Sequence, residues 1–301
     1  MLRYDSVFRF GSSRRDGSIQ IPLLASDGGV VEASYFVSSD KAKDIYVIST
    51  QSGCPLRCQF CELGQETFKG QLTADEIVQQ IEILVDEVDR SLFHNPDISK
   101  KLTFANTGEP LHNMAVSSAL NMIRKSKWND YFSSVKISTL LPKGRTACSN
   151  FLALAAASES FPKPVQLQIS LVSLNEDERN RLTGNAGATF AEILALARRW
   201  HQFNPERKIN LSLIDCAEQQ IHSGLLDLFP PELFRFRIRS YVPTVNGGDH
   251  RLQSATVDVK LLEALGYEVS LAGEPTAIEK RFGLAANVTR RRYLEILESS
   301  K

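Results

Sequence analysis

From residue 40 onward, short runs of β-branched and aliphatic residues alternate with longer stretches whose apolar positions recur every three to four residues. The runs are DIYVIST (44–50), KLTFAN (101–106), VKIST (135–139), PVQLQISL (164–171), KINLSLI (208–214) and FRFRIRSYV (234–242). Each predicts a strand. Between the first two lies TADEIVQQIEILVDEV (73–88), in which Thr73 is placed to cap and Ile77, Ile81, Ile83, Leu84 and Val88 form a helical stripe. The alternation predicts βα units on a parallel sheet, and six units in about 200 residues suit either an open barrel or a doubly wound sheet. In both architectures chemistry gathers at the C-terminal ends of the strands.

Residues 1–40 have another rhythm. SVFRF, GSIQIPLL and VVEASYFV are separated by Gly, Ser and Asp turns, which predicts a short antiparallel extension. After residue 255 come a helix, TVDVKLLEALG, a strand, YEVSLA, and a charged helix near 289–300. Without a repeat, a low-complexity tract or a linker, the pattern reads as one domain with additions: an extension over 1–40, a barrel over 41–250 and an α/β appendage over 251–301.

Composition narrows the class. In 301 residues with 43% hydrophobic content there is enough apolar material for a full core, which excludes disordered and collagen-like chains. Thirty-five basic residues balance 35 acidic ones. No global field would therefore gather phosphate backbones or a membrane surface. No apolar run reaches the roughly 20 residues of a spanning helix, and the N-terminal residues lack the apolar core of a signal peptide, so the expected address is the cytoplasm. There, five cysteines read as metal or catalytic thiols rather than disulfides.

Three of the five stand close together in STQSGCPLRCQFCELG (49–64): Cys54, Cys58 and Cys61, with Gly53, Pro55 and Gly64 to help the loop turn. A closed structural zinc site takes four protein ligands, and the next histidine, His94, is not at finger spacing. Iron and sulfur form the other common soft-ligand assembly, usually on four cysteines. Three thiolates on four irons leave one iron open to a substrate or cofactor.

The C-x3-C-x2-C spacing, with the aromatic Phe60 before the last cysteine, resembles the radical S-adenosylmethionine (SAM) superfamily. The resemblance implies a partial (βα)6 barrel and two cofactors, a [4Fe-4S] cluster on Cys54, Cys58 and Cys61 and SAM on the open iron, with flavodoxin or ferredoxin as a suitable reductant. Electron transfer would cleave SAM to a 5′-deoxyadenosyl radical that abstracts hydrogen. In ANTGEPLHN, Gly108, Glu109 and Pro110 match the motif that binds the SAM amino group. Ser138 and Ser170 match contacts to its ribose and carboxylate, and Asn175 a contact to the adenosine ribose. These last matches are to one subfamily, the dual-specificity RNA methyltransferases that methylate adenine, and the resemblance runs from about residue 7 to 250.

Three departures limit what it implies. The subfamily uses two further cysteines for methyl transfer, one seven residues before the first cluster cysteine and one near the C-terminus. Val47 stands at the first position, and RFGLAANVTRR (281–291) contains none at the second. Neither valine nor alanine can serve as a thiolate nucleophile. The helical RNA-binding domain that precedes the barrel in the subfamily also has no counterpart in this sequence, which disfavours RNA, although RFRIRSY and TRRRY are basic–aromatic runs.

The expected function is therefore hydrogen abstraction from a small molecule of a biosynthetic pathway, with no role for a membrane. RNA or nucleotide modification is the alternative, and a structural or redox-sensing cluster is the alternative of another class. Cys216 is a candidate hydrogen donor at the rim, with Asp215 a candidate proton-transfer group; a buried apolar role is the bland reading for Cys216 and for Cys148. His112 and Asn113 read as a helix start, and Tyr241 and Asn246 as residues on the substrate side.

Overall fold

The computed structural model describes all residues except 5, 11–16, 39–41, 62, 64–66, 164, 216–218, 242–255 and 273–301. Strands β1 (Phe8–Phe10), β2 (Ser18–Leu24) and β3 (Val30–Val37) run antiparallel to one another and onto β4 (Lys43–Ile48). A two-residue pair, β5 (Gln51–Ser52) and β6 (Gly70–Gln71), precedes α1 (Ala74–Asp89) and β7 (Ser99–Phe104). The chain continues through α2 (Ala115–Arg124), α3 (Trp128–Tyr131), β8 (Ser134–Thr139), α4 (Arg145–Glu159) and β9 (Val165–Val172). It then forms α5 (Glu176–Leu182), α6 (Phe190–Phe203), β10 (Ile209–Ile214), α7 (Leu225–Leu228), β11 (Phe234–Arg239), α8 (Val259–Ala264) and β12 (Val269–Leu271).

Ten strands make one sheet in the order β1-β2-β3-β4-β7-β8-β9-β10-β11-β12, and every pair from β4 to β12 is parallel. This is the βα arrangement that the alternating pattern predicts, and it is a partial barrel. Its hydrophobic core lies on the helix side, where Phe104, Ile137, Ile169, Leu211 and Phe236 are all fully buried. The other side is lined by polar residues. On β11, burial alternates strictly: the three apolar residues are buried and Arg235, Arg237 and Arg239 are partly exposed. Period two fixes this, because successive side chains leave opposite faces of a strand. The sheet curls around the polar side. Lys136 on β8 lies within electrostatic reach of Arg237 and Arg239 on β11, three strands away, about 14 Å if the sheet were flat.

The predicted elements fall where the pattern put them, with shifts that have local causes. Strand β4 stops at Ile48 because the N–H groups of Thr50 and Gln51 turn to the carbonyl of Thr107. Helix α1 begins with a full capping box: Thr73 Oγ1 accepts from Glu76 N, and Glu76 Oε2 accepts from Thr73 N. One turn on, Gln80 returns to the end of β4, accepting from Ser49 N at 2.8 Å and donating to Ser49 O at 2.9 Å. The amide thus continues the ladder by one step and fixes where the cysteine loop departs. YEVSLA pairs in parallel with β11, continuing the sheet. The helix expected near 289–300 lies outside the described residues.

Candidate active site

The cysteine loop leaves and re-enters the fold through a neck. Strands β5 and β6 pair only Gln51 with Gln71 and Ser52 with Gly70, so residues 53–69 form one excursion closed at its base. Gly53, with φ +76°, is required here: a Cβ would lie 2.5 Å from the carbonyl oxygen of Thr67 and 2.9 Å from Cα of Phe68. Three side-chain bonds secure the neck. Gln51 Nε2 donates to Gln71 Oε1 (2.9 Å), Gln71 Nε2 donates to the His112 carbonyl (2.8 Å), and Gln51 Oε1 accepts from Glu109 N (2.7 Å).

Within the excursion, Cys54, Cys58 and Cys61 pack with Phe60, Leu56, Leu140 and Ala186 in a small apolar cluster separate from the main core. No disulfide joins the described cysteines. Burial pushes the Cys54 thiol up to about 12, partly countered by a hydrogen bond from the Leu56 N–H, and burial drives Cys58 well above its ordinary value, with the other two thiols adding to it. Cys54 and Cys58, desolvated and crowded by neighbouring thiols, do not ionise readily by themselves; a bound cation would make them ligands. Among the described residues no three Cys, His, Asp or Glu side chains are arranged around a single metal ion. A cluster suits such a donor set, since each thiolate would then meet a different iron.

Beside the neck, Gly108 takes φ +103°, and glycine is required there because a Cβ would strike the Gln51 side chain at 2.6 Å and its backbone nitrogen at 2.8 Å. The next residue, Glu109, is 3% exposed. Its Oε1 accepts from Leu111 N (3.0 Å) and from the Thr139 hydroxyl, and its Oε2 accepts from Leu140 N (2.8 Å). Burial raises this carboxyl to about 7, against the lowering effect of those donors. Glu109 therefore ties the turn after β7 to the end of β8, with one Oε2 lone pair left to receive an ammonium group. Pro110, buried, starts a single 3-10 turn over Pro110–His112.

Ser138 and Ser170 lie on the polar face of adjacent strands, where the register pairs Ser138 with Gln168. At the end of β9 the ladder with β10 slips by one residue, and Val172 adopts φ +71°, a rare conformation for a β-branched side chain. Val172 and Leu182 form a small apolar cluster against which Phe60 of the cysteine loop packs, with Ile214 and Tyr241. Asn175 caps α5, its Oδ1 accepting from Glu178 N at 3.0 Å, which leaves Nδ2 for any ligand.

A family model for the radical SAM superfamily matches residues 48–215. The chain belongs to the radical SAM superfamily. It is an enzyme, and its cofactors are a [4Fe-4S] cluster and SAM. Among curated proteins it is 30% identical over 189 residues to the dual-specificity RNA methyltransferase RlmN 2 of Myxococcus xanthus, covering 62% of this chain and 47% of that one. It is 30% identical over 121 residues to the probable dual-specificity RNA methyltransferase RlmN of Thermosynechococcus vestitus, covering 40% and 33%. The chain thus spans between a third and about half the length of these relatives. A radical SAM methyltransferase from Sphaerobacter thermophilus has the same fold, with a TM-score of 0.65 at 18% identity over 90% of this chain and 76% of that one. The suspected subfamily resemblance stands.

Other predicted radical SAM residues divide. Val47 is buried and occupies the barrel side of β4, paired with Ser34 and Thr103. Asp215 closes β10 and accepts from the Tyr241 backbone N–H, which holds the ends of β10 and β11 together. Cys216, Asn246 and Gly64 lie outside the described residues, as does RFGLAANVTRR. Cys148, for which burial is the bland reading, is exposed on α4. Asn113 is a tie, donating to Thr50 O (2.7 Å) and Leu72 O (2.8 Å) and accepting from Ala115 N (3.0 Å). Half-buried His112 is held neutral more readily by burial.

Two residues were missed. Gln51 links neck and turn but looks like any polar residue after a strand. Arg179, in an acidic-basic helix, reads as solvated, yet it is fully buried beside the cysteine loop, and burial lowers its pKa to about 10 against the favourable charge of Glu176. Its signal is the position directly after a run of three acids at a helix start.

Proposed function

We propose that this chain uses radical SAM chemistry to abstract hydrogen from a nucleotide-containing substrate, free or within RNA, without the two-cysteine methyl relay. Cys54, Cys58 and Cys61 hold the cluster; Gly108, Glu109 and Pro110 receive the SAM amino group, and Ser138, Ser170 and Asn175 Nδ2 its ribose and carboxylate. When bound, the pair supplies one-electron cleavage of SAM to a 5′-deoxyadenosyl radical. The chain's own residues fix geometry: Gln51 couples the loop to the turn, Glu109 joins the turn to β8, and Phe60 packs both in the loop's own apolar cluster and against the Val172–Leu182 cluster.

The observation that carries the reading is the convergence of neck, turn and strand-end serines on one rim of the barrel, with the thiols seated over it. The relatives' names support a nucleic acid base as the target and weaken the small-molecule expectation. Val47 counts against inherited methyl transfer, because an isopropyl side chain on the barrel side offers no sulfur. Anaerobically reconstituted protein, given a strong reductant, SAM and either nucleotides or transfer and ribosomal RNA, should form 5′-deoxyadenosine that carries deuterium from a labelled substrate. Labelled methyl appearing in RNA would overturn the exclusion of methyl transfer. Absence of SAM cleavage in iron-replete protein would overturn the whole reading.

A further inference from the structure

The net charge of zero conceals a separation. On the barrel side of the parallel strands, Lys101 of β7, Lys136 of β8 and Arg235, Arg237 and Arg239 of β11 project from alternate positions, each partly exposed. Two of these have partners: Arg235 binds Asn210 Oδ1 and Gln166 Oε1 and lies 3.8 Å from Glu268, and Arg239 is also engaged. Lys101, Lys136 and Arg237 meet no carboxylate among the described residues. The charges acting on Lys136 are Lys101, Arg237 and Arg239, and those acting on Lys101 are Lys43, Arg237, Arg207 and Arg235. Glu32, on the same side of β3, is buried with the Thr107 hydroxyl donating to it at 3.3 Å.

Cations crowded on low-dielectric walls repel one another and focus a positive potential, a cost that a bound polyanion offsets. A second observation points to the same space. Gln168, between Ser138 and Asn210 in the register, is 4% exposed and its Oε1 has no hydrogen-bond partner among the described residues. It asks for a donor such as a sugar hydroxyl. Lys136 is two residues deeper along β8 than Ser138, and Lys101 pairs two residues deeper again, so the two lysines lie about 7 and 13 Å below the Ser138 level, while Arg237 pairs through Ser212 with Ser170 at the level of the serines and reaches Lys136 across the curl of the sheet.

We propose that the barrel interior between β7–β8 and β11 is a phosphate site that receives the terminal phosphate group or groups of a nucleotide. Lys136 and Arg237 are the principal ligands, Lys101 lies below them, Gln168 accepts from the sugar, and the base remains at the rim. The assignment of base to rim rests on the function proposed above; the phosphate site does not. A chain end is favoured over an internal phosphodiester because an internal segment must leave the barrel by two routes, whereas a terminal phosphate enters end-on.

Equilibrium dialysis of cluster-loaded protein with SAM tests this. The probes are nucleoside mono-, di- and triphosphates of the four bases, the matching nucleosides, and a short oligoribonucleotide with and without a 5′-phosphate. At least one phosphorylated form should bind tenfold or more tightly than its nucleoside, and the 5′-phosphate should strengthen oligonucleotide binding. Lys136→Met and Arg237→Met should each weaken the phosphorylated ligand tenfold or more with the nucleoside unchanged, and Lys136→Arg should recover part of the loss. If a variant does not fold, inorganic pyrophosphate should raise the Tm of the unaltered protein above that in chloride of equal ionic strength, and an equal Tm would overturn the site. Equal affinity for nucleoside and nucleotide overturns it, as does an unphosphorylated oligonucleotide that binds as tightly as the phosphorylated one. Wild-type SAM cleavage is scored separately: cleavage without phosphate preference refutes this site alone, and phosphate preference without cleavage refutes only the proposed function.

Discussion

The guanidinium of Arg179 occupies the space that a side chain on Gly187 would need. A Cβ at Gly187 would overlap both terminal nitrogens and come within 2.6 Å of Cζ. The guanidinium donates to Ala188 O at 2.6 Å and Leu140 O at 2.9 Å, so it is fixed between the segment after α5 and the segment after β8. Gly187→Ala should cost about 1–3 kcal/mol, the usual penalty of overpacking, seen as a lower urea midpoint.

Arg179→Met is a different experiment at the same place. It removes a buried charge but strands two carbonyls, and unmade buried bonds cost about 1–3 kcal/mol. Arg179→Lys should not rescue it, since a single ammonium does not reproduce two donors in one plane. Unfolding curves and iron content after reconstitution check both; a wild-type midpoint for Arg179→Met would rule out the bridging role.

Most of the fold was legible because period two and period 3.6 are written in side chains the chain cannot hide. The strand FRFRIR announces its two faces residue by residue. The cysteine spacing was equally plain. Glu109 and Asn113 were less so: a sequence states that a carboxylate or amide is present, while its partners at Leu140 and Leu72 come from distant segments. Charge was read least well. A sum over 301 residues cancels, whereas Lys101, Lys136 and Arg237 are assembled by sheet curvature that no local pattern records.

Gln51→Leu keeps the volume near that of the native residue and removes the amide. The buried Glu109 N–H then loses its acceptor and Gln71 loses a donor, for a cost of about 1–3 kcal/mol. The expected signature is selective: SAM affinity, read by dialysis, should fall more than iron content does. Equal losses of both would mean that Gln51 serves the neck only.

Cys58→Ala should abolish iron binding and the visible absorption of the reconstituted protein, since Cys58 is the middle donor of the loop. The exposed Cys148→Ala should leave both intact. Retained cluster in Cys58→Ala would sink the ligand assignment.

Lys101 gives a pH test. Burial and the surrounding cations lower it from 10.5 to about 8 in the folded chain. Between those values the unfolded chain binds the extra proton, so the Lys101 contribution to stability rises with pH from about 8 toward 10.5. Urea midpoints of wild type minus Lys101→Met should therefore climb over that window and be flat below it. An anion bound in the barrel raises the pKa again, so pyrophosphate binding near pH 8 should take up protons, read by calorimetry in buffers of different ionisation enthalpy.

The two-pair neck at Gln51 and Gln71 has a bearing on upkeep. The three thiols sit in a small apolar cluster separate from the main core, so the barrel's stability is not expected to run through the cysteine loop. Oxygen damage should thereby be confined to a replaceable fitting: a chain stripped of iron is expected to keep its scaffold, so that recovery would wait on the supply of iron and sulfide rather than on making the protein anew.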